Sequence, residues 1–99
     1  MAKIKRFEEL ECWKEARILV KQVFLLEGPL VNDWDTLNQL RRAAISVMNN
    51  IAEGFGRFSD KDFSRFLKIA HASANEVKSI LYLLEDIKYF KSKRGRRYY

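Results

Sequence analysis

Few side chains in this sequence have the type and spacing that chemistry requires. Cys12 is the only cysteine and His71 the only histidine, so the chain can form neither an intramolecular disulfide nor a cysteine cluster for zinc. With no second histidine or thiol beside it, His71 makes a poor metal site and is expected at the edge of a core or on a surface. Cys12 reads as a small packed hydrophobe. Asp60 and Asp62 lie close together, but both fall where a helical pattern begins, and acids there suit the helix dipole better than general acid–base work. Gly54 and Gly56 lack the preceding strand and the third glycine of a nucleotide-binding loop. No nucleophile has a base partner, so the expectation is a protein that is not an enzyme and uses no cofactor and no metal.

Charge says more once it is located. The net charge is +6. Residues 1–87 carry 13 Lys and Arg against 13 Asp and Glu. The whole excess comes from Lys88, Lys91, Lys93, Arg94, Arg96 and Arg97, with no acid among them. A short basic tail with aromatic neighbours can grip RNA or DNA phosphate without sequence preference, and loses affinity as salt rises. It can equally be a solubilising end. In the body, Arg41, Arg42, Arg57 and Arg65 are the candidates to add phosphate contacts. A neutral body is unlike a dedicated duplex-binding domain, and no helix-turn-helix signal is present, because the helix after the second turn is too long and apolar for a groove reader.

The single cysteine fits a reducing cytoplasm. The first residues, MAKIKRFEEL, are basic, but Glu8, Glu9 and Glu11 interrupt the apolar run that a signal peptide needs. No stretch approaches the roughly 18 apolar residues of a membrane span. A cytoplasmic, soluble protein with no membrane partner is expected.

The elements that must position these residues are helices. Apolar content of 47% and seven Phe, four Tyr and two Trp suffice for one packed domain, while four Gly and one Pro leave few places to turn. Leu10, Trp13, Ala16, Val20, Val23 and Phe24 recur at helical spacing and predict a first helix over about 7–27, stopped by Gly28 and Pro29. Thr36 with Gln39 matches a capping box and predicts a second helix over about 36–55, Asp33 or Asp35 being alternative caps, with Trp34 plugging the end of the core. Leu37, Leu40, Ala44, Val47, Met48, Ile51 and Phe55 share its core face; Gln39, Arg42, Ser46, Asn50, Glu53 and Arg57 lie nearly opposite. Gly54 and Gly56 would supply the freedom in φ needed to leave it. Ser59 and Asp62 begin a third helix over about 60–88, whose band of Phe63, Phe66, Leu67, Ala70, Ser73, Ala74, Val77, Ile80, Leu81, Leu84 and Ile87 is that of a bundle helix. Ala70, Ser73 and Ala74 would let a neighbour approach closely. No alternating β segment competes. The fold predicted is all-α, an antiparallel up-and-down bundle over residues 1–87 followed by a basic tail, 88–99. Three such helices leave a groove uncovered between the first and third, to be filled by a fourth helix or another subunit.

The segments FEELECWKEAR, LNQLRRAAISVMNNIAEGFGR and DFSRFLKIAHASANEVKSILYLLEDI resemble those of bacterial four-helix-bundle proteins encoded in intervening sequences of 23S, large-subunit, ribosomal RNA genes. The similarity spans about residues 7–87. Its most specific part is NIAEG-x-x-R, here Asn50 to Gly54 with Arg57, with Trp13 before it and a long Phe-Leu-Ala-Ser-Glu helix after it. The resemblance implies a left-handed four-helix bundle that assembles into a ring, often a pentamer. A related branch is similar to the accessory protein of diversity-generating retroelements, which engages nucleic acid and a reverse transcriptase; no activity is established for most members. Carried over by position, the pattern points to Trp13, Gln39, Arg42, Ser46, Asn50, Glu53, Gly54, Arg57, Ser73 and Glu76, mainly as polar contacts that specify the bundle. Glu53 and Arg57, one turn apart, can pair, and Gly54 permits the turn.

Two departures stand out. Ala72 occupies the place of the family's usual glycine, and the fourth helix is missing, since KYFKSKRGRRYY after Ile87 is too short and too charged to replace it. Two functions follow. One is an oligomeric, nucleic-acid-associated module that uses the basic tail and the four arginines. The other is a structural or adaptor protein that binds copies of itself or a protein partner through the exposed apolar groove.

Overall fold

The computed structural model describes residues 3–26 and 34–87. Three helices run through them, α1 (Glu11–Phe24), α2 (Trp34–Phe55) and α3 (Asp60–Asp86), preceded by one 3-10 turn, Phe7–Glu9; no strand occurs among the described residues. The all-α fold class predicted from periodicity is therefore the one observed.

The helix ends differ from the expectations for local reasons. Leu10 has extended φ and ψ of −72° and 127°, which separates the 3-10 turn from α1 and moves the start of the first helix from Phe7 to Glu11. Glu9 fixes that turn by accepting backbone hydrogen bonds from Lys5 (2.9 Å) and Arg6 (3.0 Å), and these hold its carboxyl below the ordinary value. Arg6 donates to Glu8 at 2.7 Å, which lowers the Glu8 carboxyl and raises the Arg6 guanidinium. Phe7 then stacks edge-on against Trp13, with ring centroids 5.1 Å apart. The second helix starts at Trp34 rather than Thr36, so Thr36 lies inside its first turn. Trp34 is 57% exposed and plugs nothing. Gly28 and Pro29, the expected stop of the first helix, lie outside the described residues. At α3 the cap is as read, with Ser59 Oγ accepting from the Asp62 N–H at 3.1 Å.

Helix α2 is the middle of the molecule. Both α1 and α3 pack against it, whereas no Cα of α1 comes within 8 Å of one of α3. The packing is antiparallel in both pairs. Near the start of α2, Val23 of α1 and Val77, Ile80 and Leu84 of α3 join Leu37, Leu40, Ala43 and Ala44. Toward its end, Ala16 and Ala70 join Val47 and Ile51. Leu40 and Leu84 are wholly inaccessible, each contributing about 1.5–3 kcal/mol by burial. The alanines at the crossings keep the helices close. No polar or charged residue is fully buried among the described residues.

The two glycines after Glu53 act differently from the expectation. Neither takes a left-handed φ, so conformational freedom is not what they supply. Gly54 is a buried residue of α2, and a Cβ there would meet Phe66 Cβ at 2.6 Å and Phe63 Cδ1 at 3.0 Å. Glycine lets α3 begin hard against the end of α2. At Gly56 a Cβ would meet only Glu53 O, at 3.6 Å. None of the described helices is long and apolar enough to cross a membrane.

Candidate functional site

The broad apolar band of α3 divides between two surroundings. Phe66, Ala70, Val77, Ile80 and Leu84 are buried, while Leu67 is exposed and Ala74 and Leu81 are half-buried at the edge of the core. Because the backbones of α1 and α3 stay more than 8 Å apart, Leu67 and Ala74 border a trough of about 340 Å³. Val47 and Ile51 of α2 line it, with Ala16 and Leu19 from α1 and Leu67 and Ala74 from α3. Cys12, Glu15 and His71 also line it, and all three are exposed. Cys12 is thus not the packed hydrophobe expected of it: its helix position faces the trough, where no third helix covers it. His71 sits at the surface edge that its isolation predicted. Among the described residues no group of three or more His, Cys, Asp or Glu is placed to hold a metal.

On the other side of α2 lies a polar seam against α3. Gln39 Nε2 donates to Glu76 Oε2 at 3.1 Å. Ser46 and Ser73 share a hydrogen bond of 2.7 Å between their hydroxyls. Asn50 Nδ2 donates to the Ser46 carbonyl at 2.8 Å and to its Oγ at 3.0 Å. Glu53 and Arg57 pair at 3.5 Å on the exposed surface, an interaction of a few tenths of a kcal/mol. Five residues of the sequence pattern, Gln39, Ser46, Asn50, Ser73 and Glu76, therefore meet along one crossing, and the glycine at its end is Gly54. Trp13 stands apart, between Phe7 and the Arg17 guanidinium, 5.6 Å from its ring.

The arginines do not converge on one face. The Arg41 guanidinium lies 4.7 Å over the Phe24 ring, its Nε enclosed and without a hydrogen-bond partner among the described residues. Arg42 is exposed beside it in sequence but turned to the outer side of α2. The end of α2 is about 20 Å further along the helix, and there Arg57 and Arg65 lie over Phe66 at 4.6 and 5.0 Å. Lys91, Lys93, Arg94, Arg96 and Arg97 lie outside the described residues. Sequence reasoning passed over Phe58, a fully exposed ring at 107% of its reference area, and Lys61 three residues after it. The signal was present, because an aromatic residue between Gly56 and Ser59 stands in a turn with no helical face to bury it.

An all-α antiparallel bundle, locked by a polar seam on one side of its central helix and open along an apolar trough on the other, is the class of protein these features define. The sequence model of the 23S rRNA-intervening sequence protein family matches residues 8–99, and the chain belongs to that family. A comparison with curated proteins found no match.

Proposed function

We propose that this protein is a non-enzymatic helical module of the cytoplasm that associates with copies of itself and holds RNA or DNA through its basic residues. The observation that carries the first half is the trough. A second copy offers the chemistry the trough lacks, since the same chain exposes Ile18, Tyr82 and Leu83 on helix surfaces and Leu25 at the end of α1, and covering apolar surface is the main source of association energy. The ring assembly implied by the family resemblance is one such arrangement. The second half is supported by the location of the charge, six cations and no acid in residues 88–99, and by the family's name, which ties these proteins to ribosomal RNA genes.

The test is size-exclusion chromatography with light scattering, run with and without RNA at low and high salt. The expected result is a concentration-dependent oligomer that takes up RNA at low salt and releases it at high salt. If all six tail cations engage a single strand, log K falls against log salt with a slope of roughly −4. A stable monomer at high concentration would overturn the assembly. An oligomer that ignores RNA would instead favour the adaptor reading, which the neutral charge of residues 1–87 suits.

A further inference from the structure

The turn between α2 and α3 carries an unexplained expense of hydrophobic surface. Burying a Phe is worth about 1.5–3 kcal/mol, yet Phe58 buries nothing. Its position is nonetheless fixed on both sides. The Arg57 N–H donates to the Gly54 carbonyl at 3.1 Å, and the Phe63 N–H to the Ser59 carbonyl at 3.0 Å. Ser59 Oγ caps α3, and Gly54 brings the two helices together immediately behind the turn. A ring presented on so constrained a backbone loses little entropy when something stacks on it.

The chain on either side of that ring carries four cations, Arg57, Lys61, Arg65 and Lys68. Arg57 and Arg65 both lie over Phe66, their guanidinium carbons within 5.0 Å of its centroid. Each also pairs with an acid, Glu53 at 3.5 Å and Asp62 at 3.8 Å. Lys61 and Lys68 enter no ion pair among the described residues, and with Asp62, Ser64 and Arg65 they line a depression of about 310 Å³ on the first turns of α3, where Asp62 is already engaged by Arg65. Asp60 and Asp62 are the acids nearest in sequence. A fully exposed ring three residues before Lys61, with Lys61, Arg65 and Lys68 at helical spacing on the α3 that follows, has the composition of a stacking platform with backbone contacts.

We infer that the α2–α3 turn binds an unpaired base of a single-stranded nucleic acid, the base stacking on Phe58 and the adjoining phosphates held by Lys61, Arg65 and Lys68. This rests on the nucleic-acid reading above and adds to it a preference for unpaired strands. A base inside a duplex has both faces occupied and cannot stack on a protruding ring. The tail, by contrast, grips phosphate in either form.

The test uses the full chain with a fluorescein-labelled single-stranded RNA 12-mer and the blunt duplex of the same sequence, at one low salt concentration. Phe58→Ala is expected to weaken single-strand binding on the order of tenfold and to leave duplex binding and the thermal midpoint unchanged. Lys61→Ala with Lys68→Ala should weaken the single strand as well. Neutralising Arg94, Arg96 and Arg97 should weaken both forms. If Phe58→Ala binds the single strand as tightly as the parent while the tail variant loses both forms, the platform is overturned and the nucleic-acid reading stands. If the parent chain binds neither form, that reading fails and the platform with it. Equal losses of both forms in Phe58→Ala would also overturn the platform, since stacking on an unpaired base would not be its cause.

Discussion

Replacing Gly54 with alanine sets two effects against each other, and the structure decides which is larger. In an exposed helix interior the change would stabilise by about 0.5–1 kcal/mol, because glycine loses more backbone entropy on folding. Here the new methyl meets Phe66 Cβ at 2.6 Å. That atom is bonded to the α3 backbone, so no side-chain rotation can move it away, and the two helices must separate or shift. Overpacking of this kind costs typically 1–3 kcal/mol, leaving a net loss of about 1–2 kcal/mol. For a chain of this length that is a fall in the thermal midpoint of roughly 5–15 °C. Gly56→Ala is the matched control. Its methyl would make only an ordinary 3.6 Å contact with Glu53 O and its φ is not left-handed, so it should be neutral or slightly stabilising. Circular dichroism melts at equal protein concentration read both. If Gly54→Ala melts at or above the parent, or if Gly56→Ala is the more damaging of the two, the close-approach argument is refuted.

Leu40→Ala, which empties a wholly inaccessible position, should lose about 2–5 kcal/mol in urea titration; a loss below 1 kcal/mol would mean that the core near the start of α2 collapses to fill the space. Ser46→Ala strips the Ser73 hydroxyl of its 2.7 Å partner and should cost about 1 kcal/mol. Adding Ser73→Ala should cost less than the two single losses together, and strict additivity would show that the hydroxyls do not interact. The Glu9 carboxyl is lowered by its hydrogen bonds from the Lys5 and then the Arg6 N–H. Its contribution is therefore complete above the ordinary value of 4.5 and is lost as pH falls through the depressed one. Tryptophan emission in a Trp34→Phe background should report the loosening of Phe7 from Trp13 in that acid range, and Glu9→Gln should show the loosened signal already at neutral pH.

Helix periodicity was legible because each helix shows the same face over several turns, and a stripe repeated that often outweighs any local exception. Helix starts were less so. A single extended residue, Leu10, ends the 3-10 turn, and nothing in the type of a leucine announces this. The polar pattern Gln39, Ser46, Asn50 was visible as a stripe on α2, but periodicity alone gives a solvated face and a helix-facing seam the same appearance. Only the matching Ser73 and Glu76 on α3, brought opposite by the antiparallel crossing, distinguish them. Gly54 was misread for a related reason: a glycine near a helix end suggests a turn, while the need for it comes from Phe66, twelve residues on and across the interface. The arginines show the limit of composition. Four cations in sequence become two separate pairs once α2 sets them about 20 Å apart.

The seam between α2 and α3 also determines how those helices can be wrong. Sliding one past the other by a single turn, about 5.4 Å, would set alanines and leucines against one another nearly as comfortably as before, since greasy side chains discriminate poorly. The same slip would part the half-buried Ser46 and Ser73 hydroxyls and break the exposed Gln39–Glu76 bond. Mispairings that the oily contacts would tolerate are thus penalised by a few oxygens and nitrogens, and the correct alignment is chosen by what the alternatives would leave unanswered.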